Sequence, residues 1–598
     1  MNVFLWTRPV RWRLGPPQSV APLDPGFAMY SDVDPADHAQ ADAWLGAPVD
    51  YQLVSFNQSS WSEFANSIPW ATDLYKDSYN LWSVPLAAQQ GTLPAVVAGT
   101  HDATFTNAAN RILAAAATGQ PSNTPILIRT GWEFNLLSQE QRAFDAAGNP
   151  TPGVYVDAFR RVVGLFRAVS NRFRFVWCAN VGPATENGLT VTDCYPGDGY
   201  VDYVGLDIYA DVAYTNAGNA GFDGFEFHRT WGAGLDWLAS FGAAHGKPVM
   251  LNEVGVNSEL LWRWLDEIIK WSDANAVVFF GYWNSDAAFP SKVSDGSLPV
   301  IGNLIRNRWG VLPAVPQPVA APLENPTVSP IGTMFHSVTG TAGTDLRLTL
   351  NAATMLGPIQ ANTARRIELI GGNYNYTTER SGWRLLQISE ASESVYLDGM
   401  KIAMEKANTD AIAAGGTFAS PYTNRPNVIL KNIRATGVNG TQASPTHADC
   451  FQAGYAIARL WIDRFTGSSN YQGIFVPPQK GPFDSIEISR TNILMQPNAD
   501  SASAFGKALW LFDSEAQMQA SSYPIVLHDV WIEPGDKTLA QRMTFFDNNG
   551  DNGCTVGSDA ISAYVWCSAY PSRFLDRDGK PARVRLWNAA TMTDFVPA

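Results

Sequence analysis

The chain is short of cysteine, of charge and of long apolar runs. Its 598 residues hold five cysteines, Cys178, Cys194, Cys450, Cys554 and Cys567. These are too few for a disulfide framework and lack the paired Cys-x-x-Cys spacing of a zinc site; one pairing, Cys554 with Cys567, stays open. Charged residues make up 16% of the chain, which excludes a charged disordered tail or a long coiled coil. No stretch reaches the ~18 apolar residues of a membrane-spanning helix. The N-terminus, MNVFLWTRPVRWRLGPP, has only a brief apolar run before Arg8, Arg11 and Arg13, shorter than a signal-peptide core. The expectation is a soluble chain without a Sec signal, found outside the cell or on a virion.

Positive charge is scarce too. Lys and Arg number 41 against 55 Asp and Glu, a net charge of −14, which repels phosphate backbones and anionic lipid, so neither nucleic acid nor membrane is an expected partner. What is plentiful is hydrophobic residues, at 46%, and among them 21 Trp, 20 Tyr and 30 Phe. Most aromatics are core material, but exposed ones offer flat surfaces that stack on the apolar faces of sugar rings.

Prolines 313, 316, 318, 322, 326 and 330 crowd into residues 311–330 and favour extended backbone, the composition of an inter-domain linker. It separates a first domain, residues 25–310, behind an N-terminal arm of residues 1–24, from a second domain, residues 331–598. In the first domain eight short apolar runs alternate with helical segments. The runs are residues 27–30, 49–56, 79–86, 125–133, 173–180, 201–209, 247–255 and 277–284. Eight βα units in about 300 residues is the pattern of a (β/α)8 TIM barrel.

After the linker the helical period disappears and a two-residue period recurs. Alternating apolar residues pass a Gly, Asn, Asp or Arg position and resume: Val395-x-Leu397-x-Gly399, Val428-x-Leu430-x-Asn432, Leu460-x-Ile462-x-Arg464, Ile486-x-Ile488 and Ile525-x-Leu527-x-Asp529, with a looser copy at Ile367-x-Leu369. Polar corners between short strands at such intervals predict a right-handed parallel β-helix, whose coils bury together a core that none could bury alone. A β-sandwich is the alternative, and it requires hairpin turns that are few here.

Chemistry in a TIM barrel sits where the strands end at the C-terminal face. Glu133 closes the fourth run in Arg129-Thr-Gly-Trp132-Glu133-Phe-Asn135, and Glu253 closes the seventh in Leu251-Asn252-Glu253. An unpaired charge after an apolar strand is costly, and two carboxylates facing each other across a barrel mouth are what glycosidic cleavage needs. One protonates the leaving oxygen, and the other attacks the anomeric carbon or activates water. Salt-bridged strand ends, with Arg129 as a candidate partner, are the plainer reading of the same residues.

These residues, together with Gly99-Thr-His101-Asp102, the run Tyr195-Pro-Gly-Asp198-Gly-Tyr-Val-Asp202, Val204-Gly-Leu-Asp207-Ile-Tyr209 and Lys247-Pro248 leading to Glu253, resemble glycoside hydrolase family 26. This is the β-mannanase-like branch of the retaining clan A, and the resemblance covers about residues 25–310. It implies Glu133 as acid/base, Glu253 as nucleophile, and Tyr209 as the hydroxyl that hydrogen-bonds the nucleophile. Trp283 would be the sugar platform, and Arg129, Trp132, His101, Asp102, Trp177 and Asp207 further substrate contacts. Where the family has His before the acid and Gly after the Asn, this chain has Trp132 and Leu136, which puts mannan specificity in question more than the chemistry.

The expected activity is thus that of a retaining endo-glycoside hydrolase on a β-linked polysaccharide, with no cofactor and no metal, since the two carboxylates suffice. A barrel joined to a pectate-lyase-like β-helix looks like the exopolysaccharide or capsule depolymerases of phage tail spikes, which implies a possible homotrimer. Two other classes stay open. One is a non-hydrolytic glycan-binding adhesin. The other is a lyase whose centre lies in the β-helix, where His447, Asp449 and Gln452 fall at near-alternating positions.

Overall fold

The computed structural model describes residues 26–32, 35–211, 224–311, 321–350, 353–377, 384–404, 409–416, 424–440, 448–454, 456–476, 483–497, 506–512, 523–544, 554–558, 563–567, 574–580, 582 and 584–586. The expected N-terminal arm, the middle of the expected linker and His447 lie outside the described residues. The chain divides into two compact units, Met1–Leu312 and Pro313–Ala598.

In the first unit eight parallel strands close on themselves. They are β1 (Gly26–Tyr30), β2 (Tyr51–Ser55), β3 (Asn80–Val84), β4 (Ile126–Thr130), β5 (Phe173–Asn180), β6 (Tyr203–Ala210), β7 (Val249–Val256) and β8 (Phe279–Trp283), and β8 pairs back to β1. This is the expected TIM barrel. Its strands are buried almost throughout, because helices cover the outside and side chains fill the inside. The inner filling includes Ala28, Leu53, Leu81, Leu127, Val176, Met250 and Phe279.

The surrounding helices follow from sequence. Helix Trp61–Leu74 starts at Ser60, whose hydroxyl accepts from the Glu63 amide at 3.1 Å. Helices Pro152–Val169 and Pro299–Trp309 open on proline, which suits the first turn. Pro152–Val169 buries Tyr155, Phe159, Val162 and Phe166 at three- and four-residue spacing, one apolar stripe against the barrel. Two short helices, Gly224–Thr230 and Leu235–His245, lie between β6 and β7. The break falls at Trp231-Gly-Ala-Gly234, where two glycines weaken the helix. No helix among the described residues is long and apolar enough to cross a membrane.

The second unit is a stack of parallel strands on successive coils, the arrangement of a parallel β-helix. The repeat read in the sequence is its register. Leu346, Ile367, Val395, Val428, Leu460, Ile486 and Ile525 are successive strand partners. So are Leu348, Leu369, Leu397, Leu430, Ile462, Ile488 and Leu527. All fourteen are buried in one continuous core, and unequal coil lengths are absorbed outside these columns. Parallel pairing removes the β-sandwich alternative.

Two details depart from the expectation. Strand Thr327–Ile331 already pairs with Leu346–Leu350, so the stack begins inside the stretch read as linker. Pro330 is tolerated there because this strand stands at the edge of its sheet. At the other end Cys554–Ser558 and Ala563–Cys567 pair antiparallel, and the backbone register sets Cys554 opposite Cys567.

Candidate active site

Glu133 and Glu253 reach the barrel mouth by different local devices. Glu133 lies three residues past β4 with a left-handed backbone, φ 51°, a conformation costing a non-glycine residue about 1 kcal/mol or more unless its surroundings fix it. Its amide donates to the Cys178 carbonyl at 3.0 Å. Asn135, two residues on, clasps Asn180 at the end of β5: the Asn135 Nδ2 donates to the Asn180 backbone carbonyl and the Asn135 Oδ1 accepts from the Asn180 backbone N–H, both at 2.9 Å. This clasp aims the Asn180 side chain, whose Nδ2 donates to Glu133 Oε1 at 2.6 Å. Gln139 Nε2 donates to the other oxygen.

Glu253 is turned inward by a β-bulge. Leu206 pairs with Leu251, but Asp207 pairs with Glu253, so Asn252 is the extra residue on β7. A bulge of this kind resets the alternation of side chains along the strand. Room for it comes from the neighbouring strands: a side chain at Gly205 would strike the Asn252 side chain, and one at Gly281 would strike the Asn252 carbonyl.

Beneath Glu253 lies Arg129, 1% exposed. Its Nε donates to Ser83 Oγ at 3.0 Å, its Nη1 to both oxygens of Asp207 at 3.1 and 3.0 Å, and its Nη2 to Glu253 Oε1. The second Glu253 oxygen accepts from the Tyr209 hydroxyl. Burial works against the Arg129 charge, but Glu253 and Asp207 more than offset it, and the guanidinium stays protonated above its ordinary range. Burial and the nearby carboxylates push the Tyr209 phenol well up, which keeps it a donor. Burial likewise pushes Asp207 up against the pull of Arg129, with the charges of Glu253 and Glu133 adding to the rise.

Glu133 has the environment of an acid. Burial raises its carboxyl and the charge of Glu253 raises it further, against the donors and Arg129, to about 7. One carboxyl is therefore poised to give up a proton near neutrality. The other has both oxygens engaged by donors that suit an anion.

The remaining expected contacts divide. Trp283 ends β8 half-buried and stacks on Tyr30, with centroids 4.1 Å apart and an 11° tilt, while Tyr209 stands edge-on to it at 6.3 Å. It is placed to serve as a platform at the mouth. Trp132 is buried among the inner barrel side chains with the Arg129 guanidinium 5.0 Å over its ring. Arg129 and Asp207 sit too deep to be substrate contacts; Arg129 instead holds Glu253, and Asp207 holds Arg129. Trp177 is a correction: it alternates with Val176 and Cys178, points out toward the helices, and packs on Phe134, Tyr195, Trp237 and Phe241. Asp102 is another, for both its oxygens are taken by Arg161, at 2.8 and 2.6 Å, which ties two helices together. His101 stacks on Trp61, with centroids 3.4 Å apart, rather than on the carboxylates.

Sequence reasoning missed Asn180, Gln139, Ser83 and Tyr30. Asn180 and Tyr30 end their strands, as Trp283 does, and that position was the available signal. Among the described residues no group of three or more His, Cys, Asp or Glu is placed to hold a metal ion.

Residues 105–230 match the profile of the family described as Glycosyl hydrolase family 26, a segment that spans Glu133, Asp207 and Tyr209. Similar solved structures include a family 26 β-mannanase from Bacteroides ovatus, 13% identical, covering 46% of this chain and 82% of its own with a TM-score of 0.32. A modular endo-β-1,4-mannanase from Cellulomonas fimi is 19% identical, covering 44% and 66%, with a TM-score of 0.33. The catalytic domain of an endo-β-1,4-mannanase from Bacillus sp. JAMB-750 is 17% identical, covering 45% and 79%, with a TM-score of 0.34. None of the curated proteins compared matches the chain.

Proposed function

We propose that this barrel, a glycoside hydrolase of the family 26 kind, is an endo-acting, retaining enzyme that cleaves β-linked polysaccharide, of the bacterial exopolysaccharide or capsule type. The observation that carries the reading is the contrast between its two glutamates. Glu133 is pushed up to about 7 in part by the charge of Glu253, while Glu253 is gripped by Arg129 and Tyr209.

In the first step the Glu133 carboxyl gives its proton to the glycosidic oxygen as a Glu253 oxygen attacks the anomeric carbon. The leaving sugar departs as an alcohol and an ester joins the glycan to Glu253. Esterification removes the negative charge of Glu253, and with it one cause of the high Glu133 pKa. Glu133, now a carboxylate, takes a proton from water, whose oxygen attacks the same carbon and frees Glu253. An inverting enzyme would instead hold its two carboxyls about 6.5–9.5 Å apart, with room for water between the base and the sugar.

The substrate is proposed to differ from plain mannan because Trp132 and Leu136 replace the family's His and Gly. A virion-borne or secreted setting suits a polymer-cleaving barrel carried beside a β-helix. The test is size-exclusion chromatography of mannan, glucomannan, xylan and bacterial exopolysaccharides after incubation with wild type and with Glu253→Ala, followed by NMR of the first-formed anomer. Shortening by wild type alone, with retained configuration, supports the proposal. Inverted configuration removes the ester intermediate, and equal shortening by both proteins moves the chemistry out of the barrel. Binding without shortening would favour the adhesin.

A further inference from the structure

Both oxygens of Glu133 accept from side-chain amides, Oε1 from Asn180 at 2.6 Å and Oε2 from Gln139. An N–H donor on each oxygen suits the carboxylate and leaves no place for an acid proton. A carboxyl that is to protonate a glycosidic oxygen must therefore part with one of these donors, and the two are mounted differently.

Asn180 ends β5, and its backbone is clasped by the side chain of Asn135, which is 1% exposed. Gln139 comes back to Glu133 over successive turns: the Leu136 N–H donates to the Glu133 carbonyl at 3.0 Å, and the Gln139 N–H to the Leu136 carbonyl at 3.3 Å. The loop that carries it is tied down on both sides. Glu140 Oε2 accepts from the Gln90 N–H at 2.8 Å, and the buried Gln141 joins the Leu86 N–H to the Trp132 carbonyl at 3.0 and 3.1 Å. The Gln139 side chain is not tied down in this way. It is half-buried, and its bond to Glu133 is the only one it makes among the described residues. A long side chain on a fixed mount is the donor that can swing away.

We infer that Gln139 is a displaceable cap on Glu133: its amide holds Oε2 in the free protein and yields that oxygen to the glycosidic oxygen of a bound chain. This rests on the reading of Glu133 as the acid. The proton passes from Oε2 to the glycosidic oxygen, and Asn180 remains on Oε1, so the carboxylate left behind keeps one donor. Gln139 is thus a positioning residue that acts through Glu133. Its departure removes a donor that favours the anion, so substrate binding itself helps Glu133 keep its proton until transfer. Glu253 from β7, Arg129 from β4, and Asp207 and Tyr209 from β6 also face Glu133. Their hydrogen-bond partners do not include Gln139, so they act on Glu133 alike with the cap on or off.

The experiment follows the Glu133 proton in the full chain by infrared difference spectroscopy across neutral pH, the protonated carboxyl band being assigned by its loss in Glu133→Gln. Gln139→Leu keeps bulk and removes the donor. It should raise the midpoint of that band by about half a pH unit or more, about threefold in proton affinity, and so should Asn180→Ala. The two variants part company when substrate is present. With whichever of mannan, glucomannan, xylan or bacterial exopolysaccharide the wild type shortens, the basic limb of kcat/KM reads the free protein and that of kcat reads the complex. Gln139→Leu should raise the first limb and leave the second in place, whereas Asn180→Ala should raise both. An unmoved infrared midpoint in Gln139→Leu would overturn the proposal, as would limbs that rise together, the mark of a donor that stays. A lowered thermal midpoint with both limbs unmoved would do the same, since it reads a loosened loop and no cap. Failure of wild type to shorten any polymer would sink the hydrolase reading instead, and is told apart because the infrared midpoint reads Gln139 on Glu133 without substrate.

Discussion

The two units use left-handed backbone in opposite ways. In the β-helix it recurs: Gly399, Asn432, Arg464, Arg490 and Asp529 have φ of 73°, 51°, 55°, 44° and 52°. Each comes two residues after the inner-column residue Leu397, Leu430, Ile462, Ile488 or Leu527. In the barrel Glu133 has φ 51°, and there the conformation serves one side chain. The same torsion is a corner repeated coil after coil in one unit and the seat of Glu133, the proposed acid, in the other. Strain therefore does not mark a functional site by itself. What marks it is strain that falls on a buried, titratable group and is held by polar contacts rather than by a repeating stack.

Variants can sharpen or break this contrast. The largest expected effect is Glu253→Ala, which should lower kcat by roughly 10⁴-fold or more with little change in thermal midpoint; activity within tenfold of wild type would remove Glu253 from the mechanism. Next is Arg129→Met, which strands Asp207 and Glu253 as buried, unpaired carboxylates. It should cost about 3–5 kcal/mol of stability in a denaturant titration. Arg129→Lys should not restore it, because one ammonium cannot engage Ser83, Asp207 and Glu253 together.

Glu133→Gln should trade activity for stability. The Glu133 pKa rises from 4.5 unfolded to about 7 folded. Between these pH values the folded state holds a proton that the unfolded state has lost, so wild-type stability falls as pH rises through this window and is lower by a constant amount above it. The Gln variant should therefore be more stable than wild type at pH 8, by ~1–3 kcal/mol, and equal to it below pH 4. Its kcat should fall most on substrates with poor leaving groups, and the wild-type rate should decline above about pH 7. The smallest effect belongs to the corners. Asp529→Gly should be neutral or slightly stabilising, whereas Asp529→Ala should cost about 1 kcal/mol. If Ala and Gly behave alike there, the corners are not strained.

Much of this was legible in the chain. The β-helix register could be read because one face of each strand is buried and the column residues repeat with their corners. All eight barrel strands were legible as apolar runs for the opposite reason, burial on both faces. That same burial hid which side each residue takes. Trp177 sits in an unbroken apolar run, so nothing in the sequence sets it against the helices while Cys178 faces the barrel. Asp102 lies beside His101 in a family-like motif, but its partner, Arg161, is supplied by a helix 59 residues on. Glu253 was legible as a carboxylate near a strand end, yet the bulge that aims it was not, because a single extra residue leaves no mark on composition or period.

That bulge ties together three positions far apart in the chain. Asn252 occupies the space left by Gly205 on one neighbouring strand and Gly281 on the other, so a side chain at either glycine would displace the residue before Glu253, the proposed nucleophile. Mutations at these sites should not be independent. A random library would find Gly205 and Gly281 nearly immutable while Asn252 is present, and a tolerated change at one would be expected to arrive only with a compensating change at another. Descent of this barrel toward new substrates would then proceed through its loops, with 205, 252 and 281 inherited as a block.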